Sequence, residues 1–200
     1  DMGVLGAGGI SVGIYPTSSR DQVAYILEDS GAVFLFVEDE EQLDKYLERR
    51  DRLPNIRKVI VFDMEGLRTF RDPMVMSFDD LLALGEAHEA ANPHLWEQRV
   101  ASSDPDRAAI FVYTSGTTGP PKGAMLSHPN ILFSIGRFAE AVETNDQGAT
   151  LAFLPLCHMA ERTMTAFRPV GYGGIVNFAE SPDAVLENLR TGRFTSYTLQ

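Results

Sequence analysis

The feature that most restricts the fold is an alternation along the chain: short apolar runs rich in β-branched and aromatic residues, then amphipathic stretches, with turn chemistry between them. Such a pattern predicts an α/β protein of alternating βαβ units. "GISVGIY" (9–15) reads as a strand stopped by Pro16. "TSSRDQVAYILEDSG" (17–31) reads as a helix with hydroxyl caps, Val23, Ile26 and Leu27 on one face, and Gly31 as its stop. "AVFLFV" (32–37) is a continuous apolar run, expected to be a strand buried on both faces. A charged helix from Glu40 to about Arg50 and a strand at "RKVIVF" (57–62) follow.

Residues 63–106 look like an irregular excursion, with one short helix at "SFDDLLALG" (77–85) and a polar surface segment over 86–106. A strand at "AAIFVYT" (108–114) then enters a loop. Beyond it Pro129 suits a helix start, and Ile131, Leu132, Ile135, Phe138, Ala139 and Val142 form a stripe at helical spacing. Strands at 149–156, 173–178 and 194–200, with helices at 160–167 and 181–192, complete the series.

A net charge of −11 argues against nucleic acid as a partner, because phosphate-backbone binding needs basic stripes. A local anion site stays compatible with that balance, since a few backbone N–H groups and one lysine suffice. No apolar run is long enough to cross a bilayer. The one cysteine, Cys157, provides no internal disulfide and suits a reducing, cytoplasmic setting.

The loop after the 108–114 strand, "TSGTTGPPKG", is the richest in chemistry. Glycine lets backbone N–H groups approach an anion, and Thr114, Ser115, Thr117 and Thr118 add hydroxyl donors. Lys122 adds a mobile point charge suited to a triphosphate. A plain surface linker would explain the glycines but neither the lysine nor the threonines. A Walker A loop is excluded, since Pro121 precedes Lys122 and Gly123 follows it where that motif needs glycine and a hydroxyl residue. No Gly-x-Gly-x-x-Gly opens the helix either.

From Tyr113 to Gly123 the chain resembles, position by position, the Tyr/Phe-Thr-Ser-Gly-Ser/Thr-Thr-Gly-x-Pro-Lys-Gly signature of the AMP-binding, adenylate-forming family. The resemblance implies part of that family's large N-terminal domain, spanning 1–200 and truncated at both ends. It also implies formation of an acyl-adenylate from a carboxylic acid and ATP, with release of pyrophosphate and transfer of the acyl group to a thiol. By that likeness Thr114 is the Mg²⁺-contacting hydroxyl. Ser115, Gly116, Thr117, Thr118 and Gly119 hold the β- and γ-phosphates, and Lys122 neutralises the leaving group.

"LPLCHMAERTMTAF" (154–167) resembles the Leu-Pro-Leu-x-His-x-x-Glu-Arg segment of long-chain acyl-CoA synthetases, as does 8–39 their upstream half. This makes His158 a substrate-site candidate, with Glu161 and Arg162 supporting it. The competing reading is a histidine that caps the next helix beside a surface ion pair. The implied substrates are a fatty acid, ATP and coenzyme A. Phe133, Phe138, Phe153, Met159, Met164 and Phe167 could line an acyl tunnel, but each is more simply core packing.

Other residues carry less. "EDEEQLD" (38–44) is better read as a helix start favoured by the helix dipole than as a metal site. His88 and His94 lack ligand spacing and are expected to be solvated. Cys157 has only its neighbour His158 as a base and reads as a buried small residue. The family's Tyr-Gly-x-Thr-Glu motif, ribose-binding aspartate and C-terminal lysine do not occur here, and 189–200 departs from its pattern. The isolated chain is therefore expected not to turn over. A non-catalytic phosphate binder and an enzyme adenylating another acid remain open, as does peripheral membrane contact by a full-length protein.

Overall fold

The computed structural model describes residues 1–114, 119–141 and 148–192. In chain order, α1 (Met2–Gly6) and β1 (Ser11–Gly13) precede α2 (Arg20–Asp29), β2 (Phe34–Val37), α3 (Glu40–Leu47), β3 (Lys58–Val61) and β4 (Val75–Ser77). Next come α4 (Phe78–Ala91), α5 (Leu95–Ala101), β5 (Ala108–Thr114), β6 (Lys122–Ser127) and α6 (His128–Ala141). β7 (Ala149–Ala152), α7 (Met159–Glu161), a π-helical segment (Arg162–Phe167), α8 (Arg168–Tyr172), β8 (Ile175–Phe178) and α9 (Val185–Thr191) follow. The described residues form two units, one of 1–9, 14–103 and 119–121, the other of 10–13, 104–114 and the rest from 122 onward.

The first unit is built on a parallel sheet, β2-β3-β4, in which Phe34 lies opposite Lys58 and Val59 opposite Val75. Ser19 caps α2 by accepting from the Gln22 amide, and the Gln22 side chain returns the bond to the Ser19 amide. Asp39 caps α3 by accepting from the Gln42 amide at 3.0 Å, with Glu40 and Glu41 in the first turn, so the acidic run at 38–44 does serve a helix N-terminus. The core gathers Val23 and Leu27 of α2, Leu43 and Tyr46 of α3, and Leu35, Val37, Val59 and Val61 of the sheet.

Three expectations change here. β2 is an edge strand and alternates: Leu35 and Val37 are buried, whereas Phe34 and Phe36 are 52% and 41% exposed. The strand buried on both faces is the central one, β3, where Val59, Ile60 and Val61 are all buried in succession. Within 63–106, α4 runs on to Ala91 and α5 occupies part of the supposed polar segment. "EAHEAA" is made of helix-favouring residues, and α4 buries none of its side chains, so polarity there marked a solvated helix. His88 and His94 are exposed, as expected.

The second unit holds the sheet β1-β5-β6, with β1 parallel and β6 antiparallel to β5, and a parallel β7-β8 pair linked through the helical run 159–172. Ala109, Ile110 and Val112 of β5 are buried, together with Ile131 and Ile135 of α6, Leu151 of β7 and Phe167. Leu132, placed on the apolar stripe from sequence, is instead 63% exposed, and Phe133 beside it lies under the Arg137 guanidinium. Val142 and the expected terminal strand at 194–200 lie outside the described residues.

Candidate functional site

β5 carries its apolar residues to the sheet interior and emerges at Thr114, which is exposed. From sequence, the loop was expected to run from this strand into a helix. The structure instead has β6 as the next element, antiparallel to β5, and α6 begins only at His128.

The register of that hairpin places the two predicted catalytic residues together, for Thr114 pairs with Lys122 and Tyr113 with Gly123. Residues directly opposite in an antiparallel pair project to the same face with Cβ atoms about 4.5–5.5 Å apart. The Thr114 hydroxyl and the Lys122 ammonium therefore leave one face of the stem, both exposed. On the other face the Tyr113 ring lies over Gly123. A Cβ there would sit 3.0 Å from Tyr113 Cζ, so this position needs glycine to let the ring down. Gly119 adopts φ +100° with open space around it, and backbone conformation is what favours glycine there. Ser115, Gly116, Thr117 and Thr118 lie outside the described residues. The loop's last residue, Pro121, accepts a hydrogen bond at its carbonyl from the Tyr25 hydroxyl, 3.0 Å away.

The second predicted segment meets the same sheet. After β7 the chain turns at 155–158, with the His158 amide donating to the Pro155 carbonyl at 2.8 Å. A Cβ on Gly13, the last residue of β1, would come within 2.9 Å of both Cα and Cβ of Cys157. Gly13 pairs with Val112, so the turn rests on the carboxyl end of β1, one strand from the residues that lead into the loop. Carboxyl ends of parallel strands are where open α/β sheets receive ligands.

His158 starts α7 through its backbone, but its side chain makes no capping bond. The reading of Glu161 and Arg162 as a surface ion pair is also corrected, because both are buried, at 1% and 2% exposure. Glu161 Oε2 accepts from the Leu154 amide at 3.3 Å, tying the helix back across the turn. Arg162 donates to Ser11 Oγ of β1 at 2.7 Å. Arg168, also buried, reaches Thr150 Oγ1 at 3.5 Å and stands 5.8 Å from the centroid of the Phe138 ring. Burial pushes the Cys157 thiol up from its ordinary value, against the pull of nearby Arg162, and the same cause lowers Arg162. Cys157 is a free, half-buried thiol.

Sequence reasoning missed Ser11, Gly13 and Tyr25 as members of this arrangement. Each acts through a partner far away along the chain, and a local pattern holds no such signal. Of the suggested tunnel residues, Phe167 is core, Phe133 is exposed, and Phe138, Phe153, Met159 and Met164 are half-buried.

Known proteins place this geometry in a class. The family model for AMP-binding enzymes matches residues 1–199, and the chain belongs to that family. It is 37% identical over 206 residues to the long-chain-fatty-acid–CoA ligase ACSBG2 of Gallus gallus, covering 98% of this chain and 26% of that protein. It is 34% identical over 193 residues to the protein of the same name from Xenopus laevis, covering 94% and 25%. The chain thus spans about a quarter of the length of these relatives. Among solved structures, an anthranilate CoA ligase, AuaEII, bound to anthranoyl-AMP aligns with a TM-score of 0.76 at 23% identity, over 98% of this chain and 36% of the other. A red-emitting luciferase of Phrixothrix hirtus gives 0.75 at 19%, over 98% and 37%. These likenesses carry the fold: the α/β N-terminal domain of an adenylate-forming enzyme.

Proposed function

We propose that the chain is part of the N-terminal domain of an ATP-dependent long-chain fatty-acid–CoA ligase, and that its hairpin loop handles the phosphates of ATP. The observation that carries this reading is the pairing of Thr114 with Lys122 at the mouth of the loop, a hydroxyl donor and a cation on one exposed face. The names of the relatives supply the acid and the thiol: a fatty acid and coenzyme A.

In the first half-reaction the fatty-acid carboxylate attacks the α-phosphorus, and the bond to pyrophosphate breaks. Negative charge gathers on the phosphoryl oxygens and on the leaving group. Fixed donors and a cation stabilise that charge with little covalent work by the protein. Lys122 pairs with the departing pyrophosphate and Thr114 donates to phosphate oxygens, with Ser115, Gly116, Thr117, Thr118 and Gly119 completing the cradle. In the second half-reaction the thiol of coenzyme A displaces AMP from the acyl carbon. His158, on the turn against β1, faces the acyl-adenylate.

Magnesium fits this site in one way. No group of three or more His, Cys, Asp or Glu suited to a metal occurs among the described residues. Mg²⁺ would therefore come with the nucleotide, held mainly by phosphates and water, with the Thr114 hydroxyl as the protein's own oxygen. When bound it would neutralise phosphate charge. The free thiol of Cys157 agrees with a cytoplasmic setting. No helix among the described residues is long and apolar enough to cross a membrane, so any membrane contact would be peripheral for this part of the protein.

Lys122→Ala and Thr114→Ala in a full-length protein carrying this chain test the assignment. Each should slow acid-dependent exchange of pyrophosphate into ATP by about 10²–10³-fold, the usual loss on removing one oxyanion donor. Thioester formation from preformed acyl-adenylate should change little. Equal losses in both half-reactions would refute the assignment, and an absence of exchange in the parent would leave a phosphate binder instead.

A further inference from the structure

We propose that Tyr25 is a positioning residue for the phosphate loop, latching the arm from which Lys122 projects. The inference rests on the phosphate reading above and adds a residue to it from another part of the chain. Tyr25 lies 96 positions from Pro121 in sequence, yet its hydroxyl donates to the Pro121 carbonyl at 3.0 Å. The next peptide begins Lys122, so this bond fixes the orientation of the peptide plane that leads into β6.

The two sides of the bond differ in rigidity. Tyr25 sits in the middle of α2, whose neighbouring Val23, Ala24, Ile26 and Leu27 are all buried and whose start is closed by the Ser19–Gln22 capping box. On the loop side, Gly119 occupies a glycine-favoured φ of +100° with nothing within 4 Å of a Cβ built there. Pro120 and Pro121 can donate no backbone hydrogen bond to hold themselves in place. A position that favours glycine, followed by two donorless residues, is thus tied to a packed helix by the Tyr25 phenol. In the adenylation step that pin restrains Lys122 at the level of its backbone, so that less order has to be imposed when ATP arrives.

Tyr25→Phe, in a full-length protein carrying this chain, keeps the ring and deletes only the donor. Losing one such hydrogen bond shifts a local equilibrium by about three- to tenfold. Trypsin cleavage after Lys122, located by peptide mass, should therefore accelerate by that factor without nucleotide. ATP–pyrophosphate exchange should slow by a similar factor, with thioester formation from preformed acyl-adenylate and the unfolding midpoint unchanged. Cleavage at the parent rate overturns the latch, whatever happens to activity. Faster cleavage with unchanged exchange shows a latch on a loop that does not handle phosphate, and this too overturns the proposal. A joint fall in both half-reactions with a lower unfolding midpoint assigns Tyr25 a purely structural role.

Discussion

Replacing Gly13 by alanine probes the join between β1 and the Cys157–His158 turn. The new methyl would lie 2.9 Å from both Cα and Cβ of Cys157. Carbon atoms settle at 3.5–4.0 Å, so the approach is too close by about 0.6 Å. The Cα is backbone and no rotamer change relieves it. β1 is held by its parallel pairing of Ser11–Gly13 with Ile110–Val112 of β5. The turn is held by the His158–Pro155 bond, by Glu161 on Leu154, and by Arg162 on Ser11. The turn should yield first, at about 1–3 kcal/mol, the usual cost of overpacking a close contact. Cys157 itself reports the movement. If the strain opens the turn, its reaction with a small disulfide reagent at neutral pH should accelerate by about 5- to 150-fold, since each 1.4 kcal/mol is a factor of ten. In a second variant, Cys157→Gly on the Gly13→Ala background removes one of the two contacting atoms and should recover part of the lost stability. A Gly13→Ala protein with the parent's thiol rate and unfolding midpoint would show that the turn does not rest on β1.

Two further outcomes follow from ionisation. Burial raises the Cys157 thiol above its usual 9.0, so the midpoint of its alkylation-rate profile should lie above pH 9, where an exposed cysteine is already half ionised. The unfolded thiol ionises first, so the stability held by the protonated native thiol is present below pH 9 and lost as pH rises further; a midpoint at the ordinary value would refute the burial. Asp72 accepts from the Met74 amide at 2.8 Å and from Arg50 at 2.7 Å, which holds its carboxyl below the usual 3.8. Asp72→Asn should therefore destabilise the protein in urea at pH 7, and the difference should shrink as pH falls below that value; a difference independent of pH would refute it.

What the sequence made legible was whatever depends on near neighbours. β5 matches the apolar run 108–114, Ser19 is one of the hydroxyl residues expected to cap its helix, and the acidic run 38–44 does open α3. β6 was not legible, because "KGAMLS" opens with a lysine and a glycine and contains no β-branched residue. Only its pairing with β5, and the Tyr113 ring over Gly123, make it a strand. The burial of Glu161, Arg162 and Arg168 was hidden for a different reason. Charge in a helical stretch ordinarily marks a solvent face, and nothing local says that Arg162 will find Ser11 at the other end of the chain. Family likeness filled part of this gap by marking Glu161 and Arg162 as neighbours of His158, without saying what they touch.

If the loop holds phosphate as proposed, the hairpin changes the physics of doing so. In loops that run directly from a strand into a helix, the helix N-terminus presents free N–H groups and partial positive charge to the anion. Here β6 intervenes, paired with β5 through the register from Thr114–Lys122 to Ala108–Ser127. The helix that eventually follows, α6, begins only at His128. Without a helix end there, the proposed attraction for a polyphosphate falls to the loop's own amides, to side-chain donors and to a true cation. On that proposal threonine and serine hydroxyls would supply the donors, and Lys122 the cation from the position opposite Thr114. Such a requirement would account for a segment dense in hydroxyls with one lysine at its closing end, in a sequence whose net charge is −11.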